Sequence, residues 1–144
     1  MNVDKKIIVL DASMALSWIF ERNNKKEQSI SQKLLDTLTN YQILVPALFH
    51  TEIINSLLVG ERRKILTETQ STSYLHRLSK FPIATDNAAP ASRREALLSL
   101  GRAQALSAYD AAYLDLSLRC DGILATFDQA LEKAVIKIGG AVFS

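Results

Sequence analysis

Hydrophobic and polar positions along this chain form blocks, in which short apolar runs alternate with longer segments of helical periodicity. Short runs rich in β-branched residues are typical of buried strands in a parallel sheet. Because strands that alternate with helices form a parallel sheet covered on both faces, the pattern predicts an α/β fold with a helix layer on each side. The predicted strands are Ile7–Leu10, Ile43–Val45, Phe81–Ala84, Gly122–Ala125 and Ala141–Phe143.

The segments between these strands have the apolar spacing of helices. One helix is predicted to begin near Pro46, since proline suits a first helical turn, and to run to about Arg63. The polar stretches Glu21–Glu27 and Asp86–Pro90 are predicted to be loops. The other predicted helices are Ala12–Phe20, Ser29–Leu38, Thr67–Leu78, a segment ending near Ala105, Ser107–Arg119 and Gln129–Val135.

Length and composition indicate one compact soluble domain over residues 1–144, since 48% of the residues are hydrophobic and no linker interrupts them. The first apolar run stops at Asp11 and is too short for a signal peptide or a membrane span, so no membrane association is expected. Cys120 is the only cysteine, which excludes an internal disulfide and favours a reducing compartment, the cytoplasm. The net charge of +2 permits a polyanionic partner without requiring one.

Four acidic residues, Asp11, Glu52, Asp110 and Asp128, stand beside apolar segments that should bury their neighbours. Several carboxylates close together must be protonated or neutralised, so their convergence on a hard divalent cation is the favoured interpretation. Asp11 and Asp128 follow predicted strands, at the sheet edge where open parallel sheets bind ligands. The alternative is that both residues cap the helices that follow them.

Asp110 and Glu52 need separate arguments. Ser107 and Asp110 have the spacing of a capping box, so capping is the favoured role of Asp110 taken alone. Glu52 lies inside a helical run, on an apolar stripe that it shares with Asn55, and therefore cannot be a cap. An arginine salt bridge would satisfy it, but Arg62 and Arg63 lie near the far end of the same helix. A metal ion or a hydroxyl group is the favoured partner.

Four separate segments match the motifs of one protein family in the expected order. They are VLDAS (Val9 to Ser13), Glu52 with Asn55 and Leu57, LSAYDAAYL (Leu106 to Leu114), and Thr126 with Asp128 and Leu131. On these residues the chain resembles the PIN-domain ribonucleases, and within them the VapC toxins of toxin–antitoxin pairs. LSAYDAAYL is the most specific segment, and the set spans almost the whole chain.

The resemblance implies a PIN-like three-layer α/β/α fold and a Mg²⁺- or Mn²⁺-dependent endoribonuclease. Asp11 and Asp110 would bind the metal directly, while Glu52 and Asp128 would hold its waters or a second ion. Such a metal would orient a water for in-line attack on a phosphodiester bond. The residue types agree, because carboxylate oxygens suit Mg²⁺ or Mn²⁺, and His50 and His76 are not spaced as zinc ligands.

Supporting roles follow from the same resemblance. Ser13 and Thr126 are expected to orient the carboxylates by hydrogen bonds, and Asn55 to orient Glu52. Asp121 departs from the family pattern beside the last long helix, and it could compete with Asp128 for a place in the site. Substrate contacts are expected from two basic runs, although each could equally be a solvated face: Arg62 to Lys64, and Arg93 with Arg94.

An unrestrained ribonuclease would injure its own cell, so the resemblance also implies a small antitoxin protein that docks on the helices around Ile53 to Leu78. The same apolar surface, or one near Trp18, is expected to support a homodimer, although plain core packing explains these residues equally well. A phosphatase of the haloacid dehalogenase type needs a second aspartate where Ser13 stands. A catalytically silent PIN-like module that binds RNA or a protein is the other alternative, and the full acidic set argues against it.

Overall fold

The computed structural model of the chain describes residues 4–144, which contain four strands and seven α-helices. The strands are β1 (Ile7–Leu10), β2 (Gln42–Val45), β3 (Ile83–Thr85) and β4 (Ile123–Ala125). The helices are α1 (Ala12–Leu16), α2 (Lys25–Thr37), α3 (Leu48–Arg62), α4 (Glu68–Leu78), α5 (Arg94–Gln104), α6 (Ala108–Cys120) and α7 (Gln129–Lys137). Two 3₁₀ turns, Leu38–Asn40 and Pro90–Arg93, precede β2 and α5.

The four strands form one parallel sheet in the order β3-β2-β1-β4. β1 lies inside the sheet, where Val9 stands opposite Leu44 of β2 and Leu124 of β4. The chain adds β2 and β3 on one side of β1 and then returns to add β4 on the other side. This reversal of strand order opens a crevice at the carboxyl ends of β1 and β4, where parallel sheets bind ligands.

The sheet is flanked by the seven helices, which confirms the predicted three-layer α/β/α fold. Helix α6 packs against β1 and β4, α5 packs against α6, and α1 packs against α3. Among the largest fully buried side chains are Phe49 of α3 and Tyr113 of α6, so these two helices are anchored firmly to the sheet. Across residues 4–144, no helix is long and apolar enough to cross a membrane.

The first two helices differ from their predicted bounds. α1 ends at Leu16 and continues as irregular turns, so the predicted helix to Phe20 is too long. α2 begins at Lys25 rather than Ser29, because the side chain of Asn24 accepts a hydrogen bond of 3.1 Å from the Glu27 amide and caps the helix. The predicted loop from Glu21 to Glu27 is correspondingly shorter.

The predicted strand Ala141–Phe143 is reduced to one parallel bridge between Val142 and Leu124. Two backbone hydrogen bonds of 2.9 Å each, from the Leu124 amide to Ala141 and from the Phe143 amide to Leu124, hold it beside β4. The preceding turn uses Gly139 at a φ of 83°, a left-handed conformation that glycine adopts without strain. The segment therefore pairs with β4 at one position without extending the sheet.

Candidate functional site

Asp11 follows β1 directly and is 5% exposed. Its Oδ2 atom accepts hydrogen bonds of 2.6 Å from both Ser13 Oγ and Thr126 Oγ1. These hydroxyl oxygens in turn accept backbone N–H groups, Ser13 from Phe127 at 3.0 Å and Thr126 from Asp128 at 2.9 Å. The network fixes the Asp11 carboxylate at the crevice between β1 and β4, and no hydrogen bond from its side chain caps α1.

Glu52 lies in α3, four residues after the helix starts, and its partner is a hydroxyl group. Tyr113 of α6 donates a hydrogen bond of 2.6 Å to Glu52 Oε1. The same hydroxyl oxygen accepts the Ala12 amide at 3.3 Å, directly beside Asp11 in the chain. Tyr113 therefore ties together α3, α6 and the end of β1. Sequence reasoning gave Tyr113 no role, although its position three residues after Asp110 places both on one face of a helix.

Asp110 and Asp128 both occupy the first turn of a helix or its cap. Ser107 Oγ accepts the Asp110 amide at 3.1 Å, so Ser107 caps α6 and the Asp110 carboxylate lies within the first turn. Asp128 caps α7 by accepting the Leu131 amide at 2.9 Å. Asp128 therefore caps α7, as the capping alternative predicted. At α6 the capping residue is Ser107, and the Asp110 side chain lies in the first turn.

These four carboxylates, which we term the acidic cluster, lie close enough that nearby charges among them raise the pKa values of Asp11, Glu52 and Asp110. Burial raises the pKa of Asp11, Asp128 raises it further, and the Ser13 and Thr126 hydroxyls oppose this. Burial likewise raises the pKa of Glu52, with Asp11 and Asp110 adding to the rise and the Tyr113 hydrogen bond opposing it.

The pKa of Asp110 is raised to about 6 by burial and by the charges of Asp128 and Asp11, against the lowering effect of Ser107. Repulsion between nearby carboxylates accounts for the charge contribution to these shifts. A bound cation would relieve it.

The donor set fits a hard divalent cation, because it consists of carboxylate and hydroxyl oxygens. Within residues 4–144, no three His, Cys, Asp or Glu side chains stand close enough to form a ready-made metal cage. The four carboxylates therefore lie near one another without forming a closed set of metal ligands.

Two other acids, Asp115 and Asp86, have arginine partners, and their pKa values are lowered instead of raised. Asp115 of α6 is 4% exposed and binds Arg93 at 2.6 Å and Arg119 at 3.0 Å. Arg119 also binds Asp86 at 2.7 Å. For Asp115, the hydrogen bonds from both arginines overcome the effect of burial and lower its pKa, while the Arg119 hydrogen bond lowers the pKa of Asp86. Hence Asp115 is a structural acid, and Arg93 is already engaged.

Asp121 and Asn55 do not lie where the roles suggested by the sequence would require them to be. Asp121 ends α6 in a left-handed conformation with φ of 52°, at the end of the helix remote from Asp110 and before β4 begins. It therefore stands at the opposite edge of the sheet from the acidic cluster. Asn55 is exposed, while the hydroxyl of Tyr113 serves Glu52.

An open cleft of about 400 Å³ lies between α1 and α3, next to the acidic cluster at Ser13. We term it the α1–α3 cleft. Its lining combines apolar side chains with two arginines and includes Leu16, Phe20, Arg22, Asn55, Val59, Arg63 and Ile65. Arg22 is held by a salt bridge of 2.7 Å to Glu27 and lies 4.7 Å from the Phe127 ring centre. The cleft is thus mainly apolar, and its charged lining residues are Glu21, Arg22 and Arg63.

Known proteins share this fold. PAE2754 from Pyrobaculum aerophilum has a TM-score of 0.66 and 18% sequence identity, over 95% of this chain and 83% of that chain. A chain in the crystal structure of FitAcB from Neisseria gonorrhoeae has a TM-score of 0.64 and 16% identity, over 95% of this chain and 96% of that chain. No curated protein matches the sequence significantly. At these identities the structures establish a shared fold.

Residues 8–137 match the PIN domain family. The matched range includes all four members of the acidic cluster and the four strands except for Ile7, the first residue of β1. PIN domains are generally metal-dependent nucleases, and the match is consistent with the predicted resemblance to VapC-type PIN proteins. The chain belongs to the PIN-domain family.

Proposed function

We propose that this protein is a Mg²⁺- or Mn²⁺-dependent endoribonuclease that hydrolyses RNA phosphodiester bonds. The observation that carries the proposal is the acidic cluster, whose members Asp11, Glu52 and Asp110 have raised pKa values and face no arginine or lysine ion pair within residues 4–144. Asp115, the other buried acid, is neutralised by two arginines. Because the acidic cluster has no such partners, it is better explained by a functional role than by a structural one.

Each member of the acidic cluster has a distinct part in this proposal. Asp11 and Asp110 would hold the ion directly, and Glu52 and Asp128 would hold its waters or a second ion. When bound, the ion supplies positive charge that offsets the charge developing on the attacked phosphate. Ser13 and Thr126 keep the Asp11 carboxylate in one orientation, and Tyr113 does the same for Glu52.

The direct test is cleavage of mixed cellular RNA by the purified protein with Mg²⁺ or Mn²⁺, compared with its Asp110→Asn variant. The variant should lose cleavage and keep its fold, because the substitution removes a charge without changing volume. Asp121→Asn is the matched control, since it removes the same charge from the other end of α6. Wild-type cleavage by Asp110→Asn contradicts the site, and absence of cleavage by the wild type supports a silent RNA- or protein-binding module instead.

We further propose that the protein is the toxin of a type II toxin–antitoxin pair and acts in the cytoplasm. An apolar patch on α3 and the turn after it supports a protein partner, with Ile54 and Leu58 each 43% exposed and Ile65 61% exposed. The antitoxin would lay an apolar helix on this patch and extend a basic side chain through the α1–α3 cleft toward the acidic cluster. An arginine would suit the paired carboxylates best.

Co-expression with the neighbouring open reading frame of its own genome tests the pairing. The partner should co-purify with the wild-type chain and be lost from a Leu58→Asp, Ile65→Asp double variant. Ile136→Asp is the matched control, because Ile136 is 58% exposed on α7, away from the patch. If the chain expressed alone is harmless and retains no partner, the toxin assignment fails even where RNA is cleaved.

We also propose a homodimer through the same α3 patch, which a second copy would occupy only where no antitoxin is bound. The alternative surface near Trp18 is less suitable, because Trp18 packs edge-on against Phe81 at 5.5 Å and donates a hydrogen bond to the Ser31 carbonyl. Light scattering of the purified chain, with and without the Leu58→Asp substitution, measures the oligomeric state.

A further inference from the structure

A second depression lies between α5 and the start of α6. We term it the α5 groove. It has a volume of about 520 Å³, and its lining includes Arg94, Leu98, Arg102, Leu106 and Ala108. Ala108, at one end of the groove, lies in the same first turn of α6 as Asp110.

The charged residues that line the α5 groove are all basic. Arg94, Leu98 and Arg102 follow one another at intervals of four residues, which places them along one face of α5. Both arginines are exposed, and neither forms an ion pair or hydrogen bond with any residue of the described part of the chain. Among the described residues that line the groove, none is acidic.

An exposed aromatic ring lies in the first turn of α6. Tyr109 stands in the chain between Ala108, which lines the groove, and Asp110 of the acidic cluster, and its side chain is 64% exposed. Tyr113, one turn further along, is fully buried. An exposed ring beside unpaired arginines is the combination by which proteins hold single-stranded nucleic acid, with bases stacked on the ring and phosphates on the cations.

We propose that the α5 groove binds an unpaired segment of RNA, with Arg94 and Arg102 contacting phosphates and Tyr109 stacking on a base next to the cleaved bond. The inference rests on the proposed ribonuclease function. The two arginines are eight residues apart, about 12 Å along the helix axis, which three or four stacked nucleotides span. The groove supplies the positive charge that a polyanion needs in order to approach four carboxylates.

A polyanion fits this surface better than a second copy of the chain. In a symmetric pair the groove would face itself, and each arginine would then lie near an arginine of the other copy. A base-paired duplex also fits poorly, because its bases are already stacked and leave no free face for Tyr109. The ligand class is therefore single-stranded RNA.

The test measures binding apart from cleavage. Asp11→Asn protein, which does not cut, is titrated into a short fluorescent single-stranded RNA, and anisotropy gives the affinity. Adding Tyr109→Ala should weaken binding about 5- to 100-fold, the range of one base–aromatic stack, while Tyr109→Phe should bind as its parent does. Affinity for a duplex of the same sequence should be the same with Tyr109→Ala as with the parent.

The arginines are tested through salt dependence. Arg94→Ala with Arg102→Ala should reduce the slope of log affinity against log salt by about 1.4, since each phosphate contact on a single strand contributes about 0.7. Arg77→Ala is the matched control, because Arg77 is exposed on α4, remote from the α5 groove, and should leave the slope unchanged.

Parent-like RNA binding by the arginine double variant or by Tyr109→Ala overturns the proposal, as does an Asp11→Asn parent that binds no RNA. If the arginine variant instead changes the mass of the protein in solution without changing RNA affinity, the groove is an interface between copies. Failure of the ribonuclease proposal is a separate result, namely a wild-type chain that does not cleave RNA while these substitutions still weaken binding.

Discussion

Tyr113 and Glu52 are joined by a hydrogen bond of 2.6 Å, which connects α6 to α3 at the acidic cluster. Because the same hydroxyl also accepts the Ala12 amide, Tyr113 positions the Glu52 carboxylate relative to the residue next to Asp11. Burial, together with the nearby charges of Asp11 and Glu52, raises the pKa of Tyr113, so this hydroxyl keeps its proton at all ordinary pH values.

Tyr113→Phe should therefore reduce RNA cleavage about 10- to 100-fold, the usual effect of losing a group that orients a metal ligand. It should also destabilise the protein by about 1–3 kcal/mol, because a buried amide and a carboxylate lose a partner. Thermal unfolding and initial cleavage rates measure both effects. Tyr41→Phe serves as the control, since Tyr41 precedes β2 at the opposite edge of the sheet and packs edge-on against Phe143. Unchanged cleavage by Tyr113→Phe would remove Tyr113 from the site.

Asp110 should make metal-free protein less stable at neutral pH. Its pKa rises from 3.8 to about 6 in the folded protein, so the folded chain holds the proton more tightly than the unfolded chain does. The ionised carboxylate therefore destabilises the fold above pH 6, and this penalty disappears as the pH falls from 6 to below 3.8.

In chelator at about neutral pH, Asp110→Asn should accordingly unfold at a higher temperature than the wild type. Its free energy of unfolding should be larger by about 1–2 kcal/mol after allowance for solvent screening. Below pH about 4 the two proteins should have the same stability. Calorimetry across this range measures the difference. A variant that is less stable than the wild type at neutral pH would show that Asp110 stabilises the fold.

Cleavage should also depend on pH through the same group. A metal ligand must be deprotonated, so at limiting Mg²⁺ the rate should fall as the pH drops below about 6. Higher Mg²⁺ competes with protons and should move the midpoint of this fall to lower pH. Initial rates across pH at two Mg²⁺ concentrations test this competition between Mg²⁺ and protons. A midpoint that does not change with Mg²⁺ concentration would contradict it.

Metal binding should stabilise the protein in a way that needs Asp11. Mg²⁺ or Mn²⁺ at about 100 times its dissociation constant should add about 2.7 kcal/mol to the free energy of unfolding. Asp11→Asn should abolish this gain, and chelation should abolish cleavage. Zn²⁺ should support cleavage poorly, because it prefers nitrogen and sulfur ligands. Activity that survives exhaustive chelation would show that the carboxylates serve another purpose.

Arg119 should matter more for stability than Arg93, because Arg119 binds both Asp115 and Asp86 whereas Arg93 binds only Asp115. Arg119→Ala should cost about 1–3 kcal/mol, less than a fully buried pair since the arginine is 29% exposed. The paired acids have lowered pKa values, so their contribution is present above pH 3.8 and is lost as the pH falls through the lowered folded values. Urea unfolding at about pH 7 and at about pH 3 compares the stability of the two arginine variants with that of the wild type.

The positions of Asp11 and Asp128 were predictable from the sequence, because each follows an apolar run that forms a strand and parallel strands end at one edge. The strand order was not predictable from that pattern, since the pairing of β4 with β1 joins segments more than a hundred residues apart. Local patterns also placed Glu52 on an inward stripe of α3 and favoured a hydroxyl as one possible partner, which Tyr113 provides.

Other contacts depend on tertiary structure alone. The pairing of Arg93 with Asp115 links residues 22 positions apart, and that of Arg119 with Asp86 links residues 33 apart, so no periodic pattern indicates either. The two arginines of the predicted basic run are consequently in different surroundings, since Arg93 is paired with Asp115 whereas Arg94 is exposed.

The pairing of β4 with β1 joins the last strand in the sequence to the first. The proposed metal site therefore assembles only after the two extremes of the fold have met. During synthesis, a nascent chain whose β4 is still inside the ribosome already carries Asp11, Glu52 and Asp110, but it lacks both Asp128 and the strand that positions Thr126 beside Asp11. If the proposed function is correct, chains that end before β4 and Asp128 should therefore not cleave RNA.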